Sequence, residues 1–294
     1  MVRCLGDPAC ILSVHGKELS MPMSHQLPQY IAWAPNYDRL PGRVSHYLHQ
    51  YRDYIRCIDV GANIGDTIAA LMKSDRDTFL AIEPNPIFAK YLAMNWQSNP
   101  NVIISNSMCS AISRQSKVDI NTQGGTAQIY LSNDGRPARS QTLDDMINRV
   151  PYNEQIHLVK IDTDGFDFEV IYGAEKLLEE HKPVVLFECD ACGNENYVDD
   201  CLRALVIFNK YGYNQCLVYD NTGYLMGKYS LSDLCCFRNL LFYQLTSKFR
   251  YYDILVMQDD DIAPFYKDEL RYFTQTMADA SLSDTAIAAV EPLL

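Results

Sequence analysis

The stretch Cys57-Ile-Asp-Val-Gly-Ala-Asn-Ile-Gly-Asp66 decides the fold of this 294-residue chain. An apolar run containing Asp59 ends there, two glycines four positions apart follow, and a helical pattern opens at Thr67, with Ile68 and Leu71 on one face. This order predicts a strand, a tight loop and the start of a helix. Such a loop is typical of nucleotide-like cofactor sites, because glycines let the backbone bend sharply and lie directly against a ligand.

Two further residues favour this interpretation. Asn63 stands between the glycines, and asparagine is one of the few other residues that tolerate a left-handed backbone. A second strand is predicted over residues 78–83, and its terminal Glu83 lies 24 positions after Asp59. That separation is close to the offset of about 20 residues at which a carboxylate binds the ribose hydroxyls of a nucleotide. We therefore predict that the loop and Glu83 bind the same cofactor.

Three blocks of the sequence resemble the signature of FkbM-type methyltransferases. They are Asp59-Val-Gly-Ala-Asn-Ile-Gly65, Ala81-Ile-Glu-Pro-Asn85 and Val159-Lys-Ile-Asp-Thr-Asp-Gly-Phe-Asp-Phe-Glu-Val-Ile-Tyr-Gly-Ala174. The blocks follow the family's order and approximate spacing, and the resemblance covers roughly residues 50 to 260. It implies S-adenosylmethionine as the cofactor and a Rossmann-like class I methyltransferase fold.

The resemblance also implies roles for individual residues. The loop matching Gly61 to Gly65 wraps the methionine part of the cofactor, Glu83 holds the ribose, and Asp162 lies beside the methionine amine and the transferring methyl group. Asp164 departs from the family, in which many relatives have a glutamate. The predicted cofactor-binding residues are Asp59, Gly61, Asn63, Gly65, Asp66, Thr67, Glu83, Asn85, Ser107 and Asp162.

The whole chain reads as an α/β protein. Strand and helix patterns alternate, which predicts a doubly wound, mostly parallel, seven-stranded sheet with an antiparallel edge strand. The predicted strands cover residues 55–60, 78–83, 102–105, 156–162, 184–188, 214–219 and 254–257. The predicted division is an N-terminal leader or cap (1–50, a hairpin and a helix), a methyltransferase domain (51–260) with a β-hairpin insertion (116–148), and a C-terminal helical tail (261–294). Such an insertion can cap the cofactor site or be a plain structural hairpin.

The expected chemistry needs few groups, because a sulfonium methyl is already activated. The protein must align the acceptor oxygen and remove its proton. Asp162, Asp164, Glu188 and Asp190 follow two neighbouring strands, and we predict Asp162, Asp164 and Glu188 as catalytic candidates. Their mutual repulsion can raise a pKa, or they can bind a divalent cation, although no metal site is predicted. Structural roles stay open: Asp164 can cap a helix, and Glu188 can contact substrate hydroxyls.

Two histidines and one C-x-x-C pair are further candidate groups. His157 begins a strand and therefore belongs to the edge opposite the ligand. His25 lies in the leader, which can fold over the pocket. Cys189 and Cys192 form a single C-x-x-C without a second pair, and we interpret them as ordinary reduced thiols rather than a metal or redox site.

Charge and hydropathy restrict the partners and the compartment. The 25 basic and 37 acidic residues give a net charge of −12, which repels phosphate backbones and anionic membranes. No apolar run approaches the roughly 20 residues of a transmembrane helix, and no signal-length run is present. We therefore expect a cytoplasmic protein with reduced cysteines, without nucleic-acid binding or membrane insertion.

The resulting functional prediction is an S-adenosylmethionine-dependent O-methyltransferase. The expected acceptor is a hydroxyl of a carbohydrate, a glycan or a glycosylated small metabolite, a class taken from the resemblance and from the acids at the pocket edge. Two alternatives stay open: a nucleotide-sugar-dependent glycosyltransferase using Asp259–Asp261, and a non-catalytic nucleotide-binding module. A dinucleotide oxidoreductase is disfavoured because the loop lacks G-x-G-x-x-G spacing. The sequence predicts no oligomeric state.

Overall fold

A computed structural model describes residues 6–148, 154–247, 251–277 and 279–293. The strands in these ranges are β1 (Ala9–Val14), β2 (Lys17–Pro22), β3 (Arg56–Val60), β4 (Thr78–Ile82), β5 (Val102–Ser105), β6 (Met108–Cys109), β7 (Arg114–Gln123), β8 (Thr126–Leu131), β9 (Arg136–Gln141), β10 (Leu158–Ile161), β11 (Val184–Asp190), β12 (Gln215–Asp220), β13 (Leu225–Ser230) and β14 (Tyr251–Met257). The α-helices are α1 (Leu27–Trp33), α2 (Leu40–His49), α3 (Asp66–Leu71), α4 (Pro86–Trp96), α5 (Leu143–Ile147), α6 (Asp167–Tyr172), α7 (Glu175–His181), α8 (Tyr197–Lys210), α9 (Leu234–Thr246), α10 (Asp259–Gln275) and α11 (Ser283–Val290). Short 3-10 turns cover Ala280–Leu282 and Glu291–Leu293.

A central mixed sheet organises the molecule. Its strand order is β13-β12-β14-β11-β10-β3-β4-β5. The five strands from β11 to β5 run parallel, and β14 lies antiparallel between β11 and β12. The predicted α/β class and mostly parallel sheet are therefore confirmed. The sheet has eight described strands instead of seven, because β13 returns antiparallel from β12 and forms the edge.

The two faces of the sheet carry separate apolar cores, as alternating side chains require. Ile58 and Val60 of β3 pack in the layer of α6, α7 and α8, whereas Cys57 packs in the layer of α2, α3 and α10. Asp59 shares the second face with Cys57 and pairs in register with Lys160 of β10. Two charged groups therefore enter a face that is otherwise apolar.

The N-terminal residues form the hairpin and helix that the sequence predicts. β1 and β2 pair antiparallel, and α2 follows after α1. Helix α2 begins at Leu40, with Pro41 in its first turn. Proline suits that turn because its missing N–H would have no helical partner there.

A second sheet, with strand order β6-β9-β7-β8, is formed by residues 108–141. The predicted hairpin corresponds to β7 and β8, which pair antiparallel. Strands β9 and β6 extend it beyond the prediction. The sequence pattern of β9, Arg-Pro-Ala-Arg-Ser-Gln, has no apolar alternation, so its strand conformation depends on pairing with β7.

The C-terminal residues pack α10 against the far part of the sheet. Glu269 of α10 binds Arg43 of α2 with an Nε–Oε1 distance of 2.7 Å and accepts a hydrogen bond of 2.8 Å from the Tyr219 hydroxyl of β12. This helix therefore joins the leader to the sheet. Within the described ranges, no helix is long and apolar enough to span a membrane.

Candidate active site

A cavity of about 600 Å³ opens at the carboxyl ends of the parallel strands. Its volume is within the range of about 300–1,000 Å³ that small-molecule sites occupy, and its position is the usual ligand edge of a doubly wound sheet. Its walls come from the leader, the loop after β3, the end of β4, the insertion, and the ends of β10, β11 and β14. The site therefore combines elements that are far apart in the chain.

The loop after β3 has the left-handed turns that its sequence predicts. Gly61, Asn63 and Gly65 have φ angles of 82°, 48° and 87°. A Cβ on Gly61 would lie 1.7 Å from the Asp162 carbonyl oxygen, and one on Gly65 would lie 2.2 Å from Nε1 of Trp96. The glycines are therefore needed for close packing against β10 and α4.

Glu83 is buried at the end of β4 with both carboxyl oxygens in defined positions. Oε2 accepts a hydrogen bond of 2.9 Å from the Asn63 backbone N–H, and Oε1 accepts one of 2.7 Å from that of Asn85. Burial raises the pKa of Glu83 to about 7, although the two N–H groups act in the opposite direction. Each oxygen keeps a second lone pair with which to accept a ligand hydroxyl.

Asn63 joins the loop to the leader and the insertion. Its Nδ2 donates to the Gly125 carbonyl at 2.7 Å, and its Oδ1 lies 3.2 Å from Nε2 of His25. The Leu27 backbone N–H donates to Nδ1 of His25, so we assign the proton of neutral His25 to Nε2, which donates to Asn63. The Asn63 side chain therefore hydrogen-bonds to the insertion and to the leader, which a glycine at this position could not do.

Asp164 and Asn85 hold the insertion over the cavity. Oδ2 of Asp164 accepts a hydrogen bond of 2.8 Å from the backbone N–H of Ala127, and Nδ2 of Asn85 donates to the Thr122 hydroxyl at 2.7 Å. Burial, with Asp162 as the next cause, raises the pKa of Asp164 to about 6. Asp164 thus anchors β8 in addition to lining the cavity.

Lys160 is the only lysine or arginine among the described residues that line the cavity. Its Nζ lies 2.8 Å from Oδ2 of Asp162, and the charges of Asp162, Asp59 and Asp38 hold its pKa well above its usual range against desolvation. Asp59 is fully buried, no described group hydrogen-bonds its oxygens, and burial raises its pKa to about 7. Lys160 is therefore the counter-charge for several carboxyls.

Glu188, Asp190, Tyr251 and Asp253 form the wall on the opposite side from Glu83. Glu188 pairs in register with Asp253, and Asp190 with Tyr251, across β11 and β14. Burial, followed by the charges of Asp162, Asp167 and Asp253, raises the pKa of Glu188 well above its usual range. Burial also raises the pKa of Asp253 to about 7.

The predicted site residues divide into two groups in the structure. Seven line the cavity: Gly61, Asn63, Asp66, Glu83, Asp162, Asp164 and Glu188. Five others surround it without lining it: Asp59, Gly65, Thr67, Asn85 and Ser107. Ser107 donates its hydroxyl to Oε1 of Gln141 at 3.1 Å, whereas its neighbour Met108 reaches the cavity.

Sequence reasoning assigned no role to Lys160, Asp253 and Tyr251, which also line the cavity. Lys160 interrupts an otherwise apolar strand, and that interruption is a usable signal for a functional charge. Asp253 lies within β14, which the sequence predicted to begin only at Ile254. Tyr251 lies at the first position of the same strand, and no motif distinguishes it from other tyrosines.

The remaining candidate groups lie elsewhere. His157 accepts the Arg56 backbone N–H at Nδ1, and burial lowers its pKa to about 4. Sγ of Cys189 lies 3.5 Å from that of Cys201, and the described residues contain no group of three or more His, Cys, Asp or Glu side chains that could hold a metal ion. Asp259–Asp261 form the first turn of α10, which follows the end of β14 farthest from the cavity.

The family model described as "Methyltransferase FkbM domain" matches residues 59–214. Among curated proteins, no significant sequence match was found.

Solved structures give distant similarities. The FkbM methyltransferase of Methylobacillus flagellatus KT has 15% identity and a TM-score of 0.42 over 69% of this chain, which spans only 44% of that protein. Precorrin-6y C5,15-methyltransferase from Geobacter metallireducens GS-15 has 13% identity and a TM-score of 0.40, covering 75% of this chain and 87% of the other. Aeropyrum pernix fibrillarin, solved with S-adenosyl-L-methionine, has 11% identity and a TM-score of 0.39, covering 69% and 66%.

The matched family segment decides the classification. It exceeds half of the 294 residues and contains the glycine loop, Glu83 and the block from Asp162 to Asp164. The chain therefore belongs to the FkbM methyltransferase family, a family of S-adenosylmethionine-dependent methyltransferases.

Proposed function

We propose that this protein transfers a methyl group from S-adenosylmethionine to a hydroxyl of a carbohydrate or a glycosylated small metabolite. One observation carries the proposal. A single cavity extends from the loop after β3 and Glu83 to a polar wall containing Glu188 and Asp253. It can therefore hold a donor and an acceptor side by side.

The residues on the first side suit the donor. Glu83 presents fixed oxygens to ribose hydroxyls, and Asp162 offers a partly exposed carboxylate to the methionine ammonium. S-adenosylmethionine carries two positive groups against one carboxylate, and an acidic cavity favours a cation. The bound cofactor supplies a methyl group on a positively charged sulfur.

The residues on the second side suit a polyhydroxylated acceptor. The buried Asn36 amide and the side chains of Asn221 and Tyr37 line this side, where they can exchange hydrogen bonds with hydroxyls. The exposed Trp33 ring and the partly buried Tyr30 lie on the leader wall, and aromatic faces pack on the apolar faces of sugars. Position and one proton acceptor are the main requirements of the transfer.

The other expectations remain part of this proposal. The net charge of −12 disfavours nucleic-acid and anionic membrane partners. The described cysteines are free thiols, which a reducing compartment such as the cytoplasm favours. A nucleotide-sugar reaction at Asp259–Asp261 is disfavoured, because Asp259 accepts a hydrogen bond from Asn214, Asp261 accepts one from Tyr47, and neither lines the cavity.

The test is methyl transfer from radiolabelled S-adenosylmethionine to a panel of methyl glycosides and free polyols. We expect label in at least one acceptor, with the product identified by mass spectrometry as a methyl ether. Transfer only to nitrogen or carbon, transfer to no hydroxyl acceptor, or sugar transfer from a nucleotide sugar would contradict the proposal.

A further inference from the structure

Two carboxyl groups of the cavity face each other across neighbouring strands. β11 and β14 are antiparallel, and their register places Glu188 directly opposite Asp253. Side chains that are directly opposite share one face of the sheet, with Cβ atoms about 4.5–5.5 Å apart. Both residues line the cavity on the face that also carries Lys160 and Asp162. The strand pairing itself therefore builds this carboxyl pair.

The two groups are available to a ligand, unlike the acids Glu83, Asp162 and Asp164. Glu83 holds two backbone N–H groups, Asp164 holds that of Ala127, and Asp162 binds Lys160. By contrast, neither Glu188 nor Asp253 has a hydrogen bond or ion pair with any residue in the described part of the chain. Their oxygens can therefore accept a proton or a hydrogen bond from an acceptor molecule.

The surroundings favour one shared proton over two negative charges. Like charges directly opposite on a sheet repel, and the nearby cation Lys160 is already paired with Asp162. Other acids add further repulsion. The charged or titratable groups that interact electrostatically with the pair come from the neighbouring elements. They are Lys160 within β10, Asp162 directly after β10, Asp167 of α6, Asp190 of β11, Asp220 of β12 and Tyr251 of β14.

We propose that Glu188 and Asp253 form a carboxyl pair that holds one proton, and that Asp253 is the base for the acceptor hydroxyl. This inference rests on the proposed O-methyl transfer. Glu188 keeps the proton and stabilises the adjacent carboxylate of Asp253. The acceptor oxygen forms a bond to the methyl carbon while the carbon–sulfur bond breaks, its electron pair stays on sulfur, and the hydroxyl proton moves to Asp253. No other reactant is needed.

The assignment adds a catalytic residue that the family-matched segment does not contain. Residues 59–214 include Glu188 but end before Asp253. Asp253 reaches the cavity only because β14 inserts antiparallel between β11 and β12, which brings its first residues to the carboxyl edge.

A first experiment tests the pair without any ligand. We compare thermal unfolding from pH 5 to pH 9 for the natural protein, Asp253→Asn, Glu188→Gln and the double variant. Acids with raised pKa values lower the stability as pH rises through the region between their unfolded and folded pKa values, so each single variant should gain more stability at pH 8 than at pH 5. The double variant should gain less than the sum of the single gains, because both single changes remove the same repulsion.

The control is Asp119→Asn, an exposed aspartate on β7, which should show no such gain. Additive gains of the two single variants would mean that the carboxyls do not interact, and that result would overturn the pair. The absence of any gain at pH 8 would overturn it as well.

A second experiment tests the base. With a glycoside that the natural protein methylates, Asp253→Asn should lower kcat about 100-fold or more, and its kcat should no longer rise as pH increases through about 7. Binding of S-adenosylmethionine, measured by calorimetry, should stay unchanged, as should all values for Asp119→Asn. An unchanged kcat and pH profile in Asp253→Asn would overturn the base assignment alone, whereas transfer to no hydroxyl by the natural protein would overturn the proposed function.

Discussion

We expect cofactor recognition to depend most on Glu83. It is 4% exposed, and each of its oxygens already holds one backbone N–H. We expect Glu83→Gln to weaken S-adenosylmethionine binding about 10- to 100-fold, because one charge-assisted hydrogen bond of about 1.5–3 kcal/mol is lost and one backbone N–H loses its acceptor. Isothermal titration measures the effect, with the exposed Glu179→Gln as the control. Equal affinities of the two variants would contradict this role.

Gly61 is the residue at which the loop tolerates no side chain. Gly61→Ala places a Cβ 1.7 Å from a backbone oxygen, whereas Gly16→Ala, with a similar φ of 76°, meets nothing within 4 Å. Both variants share the strain of a left-handed alanine, about 1–2 kcal/mol. We expect Gly61→Ala to lose about 3 kcal/mol more in the free energy of unfolding, measured in urea. Similar losses in the two variants would show that the close approach is unimportant.

Single residues could be predicted from the sequence where the local backbone conformation restricts which amino acid fits. Asparagine was expected to tolerate a left-handed backbone at position 63, and Asn63 adopts one, with a φ of 48°. The hydrogen bonds of Asn63 to Gly125 and His25 were not predictable, because they connect parts of the chain that meet only in the fold. The pairing of Asp253 with Glu188 was missed for the same reason, since strand register is not written in either strand alone.

The second sheet, formed by residues 108–141, and the N-terminal leader together cover the cavity. The backbone N–H of Gln26 donates to the Gly124 carbonyl at 2.9 Å, and Asp164 accepts a hydrogen bond from the backbone N–H of Ala127, three residues further along the hairpin. These contacts hold the tip of the β7–β8 hairpin close to the loop after β3. We therefore expect the order of the hairpin to depend on Asp164.

The matched variants for this prediction are Asp164→Gly and Asp164→Asn. Both tolerate the φ of 51° at this position, but only the asparagine keeps an acceptor for Ala127. Hydrogen exchange of a peptide covering residues 122–130 should become several-fold faster in Asp164→Gly and change little in Asp164→Asn. Equal exchange in the two variants would mean that other contacts hold the hairpin.

The bounds of strands with a strong apolar pattern were predicted closely. Strands that form only by pairing with an adjacent strand were not predicted. Strand β5 has the predicted bounds, Val102–Ser105, since its run is short and apolar. Strands β9 and β13 were missed because they alternate weakly and gain their hydrogen bonds as second strands of antiparallel pairs. A strand was predicted at the position of β14, but its predicted start was residue 254 instead of Tyr251, because Asp253 interrupts the apolar run.

The whole molecule combines a net charge of −12 with an acid-lined interior. Burial raises the pKa to about 7 for Asp59, Glu83, Asp167 and Asp253, and to about 6 for Asp164. Each of these groups binds a proton more tightly in the folded state than in the unfolded state. Their combined effect lowers the free energy of unfolding as pH rises from about 4 to about 7.

This effect is opposite to that of His157, whose pKa is lowered to about 4 and which therefore adds stability as pH rises from about 4 to 6.5. Because the acids with raised pKa values outnumber the histidines with lowered ones, His15 and His157, urea unfolding should give a lower stability at pH 8 than at pH 5.5. Saturating S-adenosylmethionine should reduce the difference, since a bound cation favours ionised carboxyls. A stability that rises steadily from pH 5.5 to pH 8 would contradict the burial of these acids.

The most direct test of S-adenosylmethionine binding in this cavity is calorimetric titration of the purified protein with S-adenosylmethionine, NAD and UDP-glucose under identical conditions. We expect one S-adenosylmethionine site per chain, weakened by Glu83→Gln, and no saturable binding of NAD or UDP-glucose. Saturable binding of either nucleotide without S-adenosylmethionine binding, or S-adenosylmethionine binding that Glu83→Gln leaves unchanged, would contradict it.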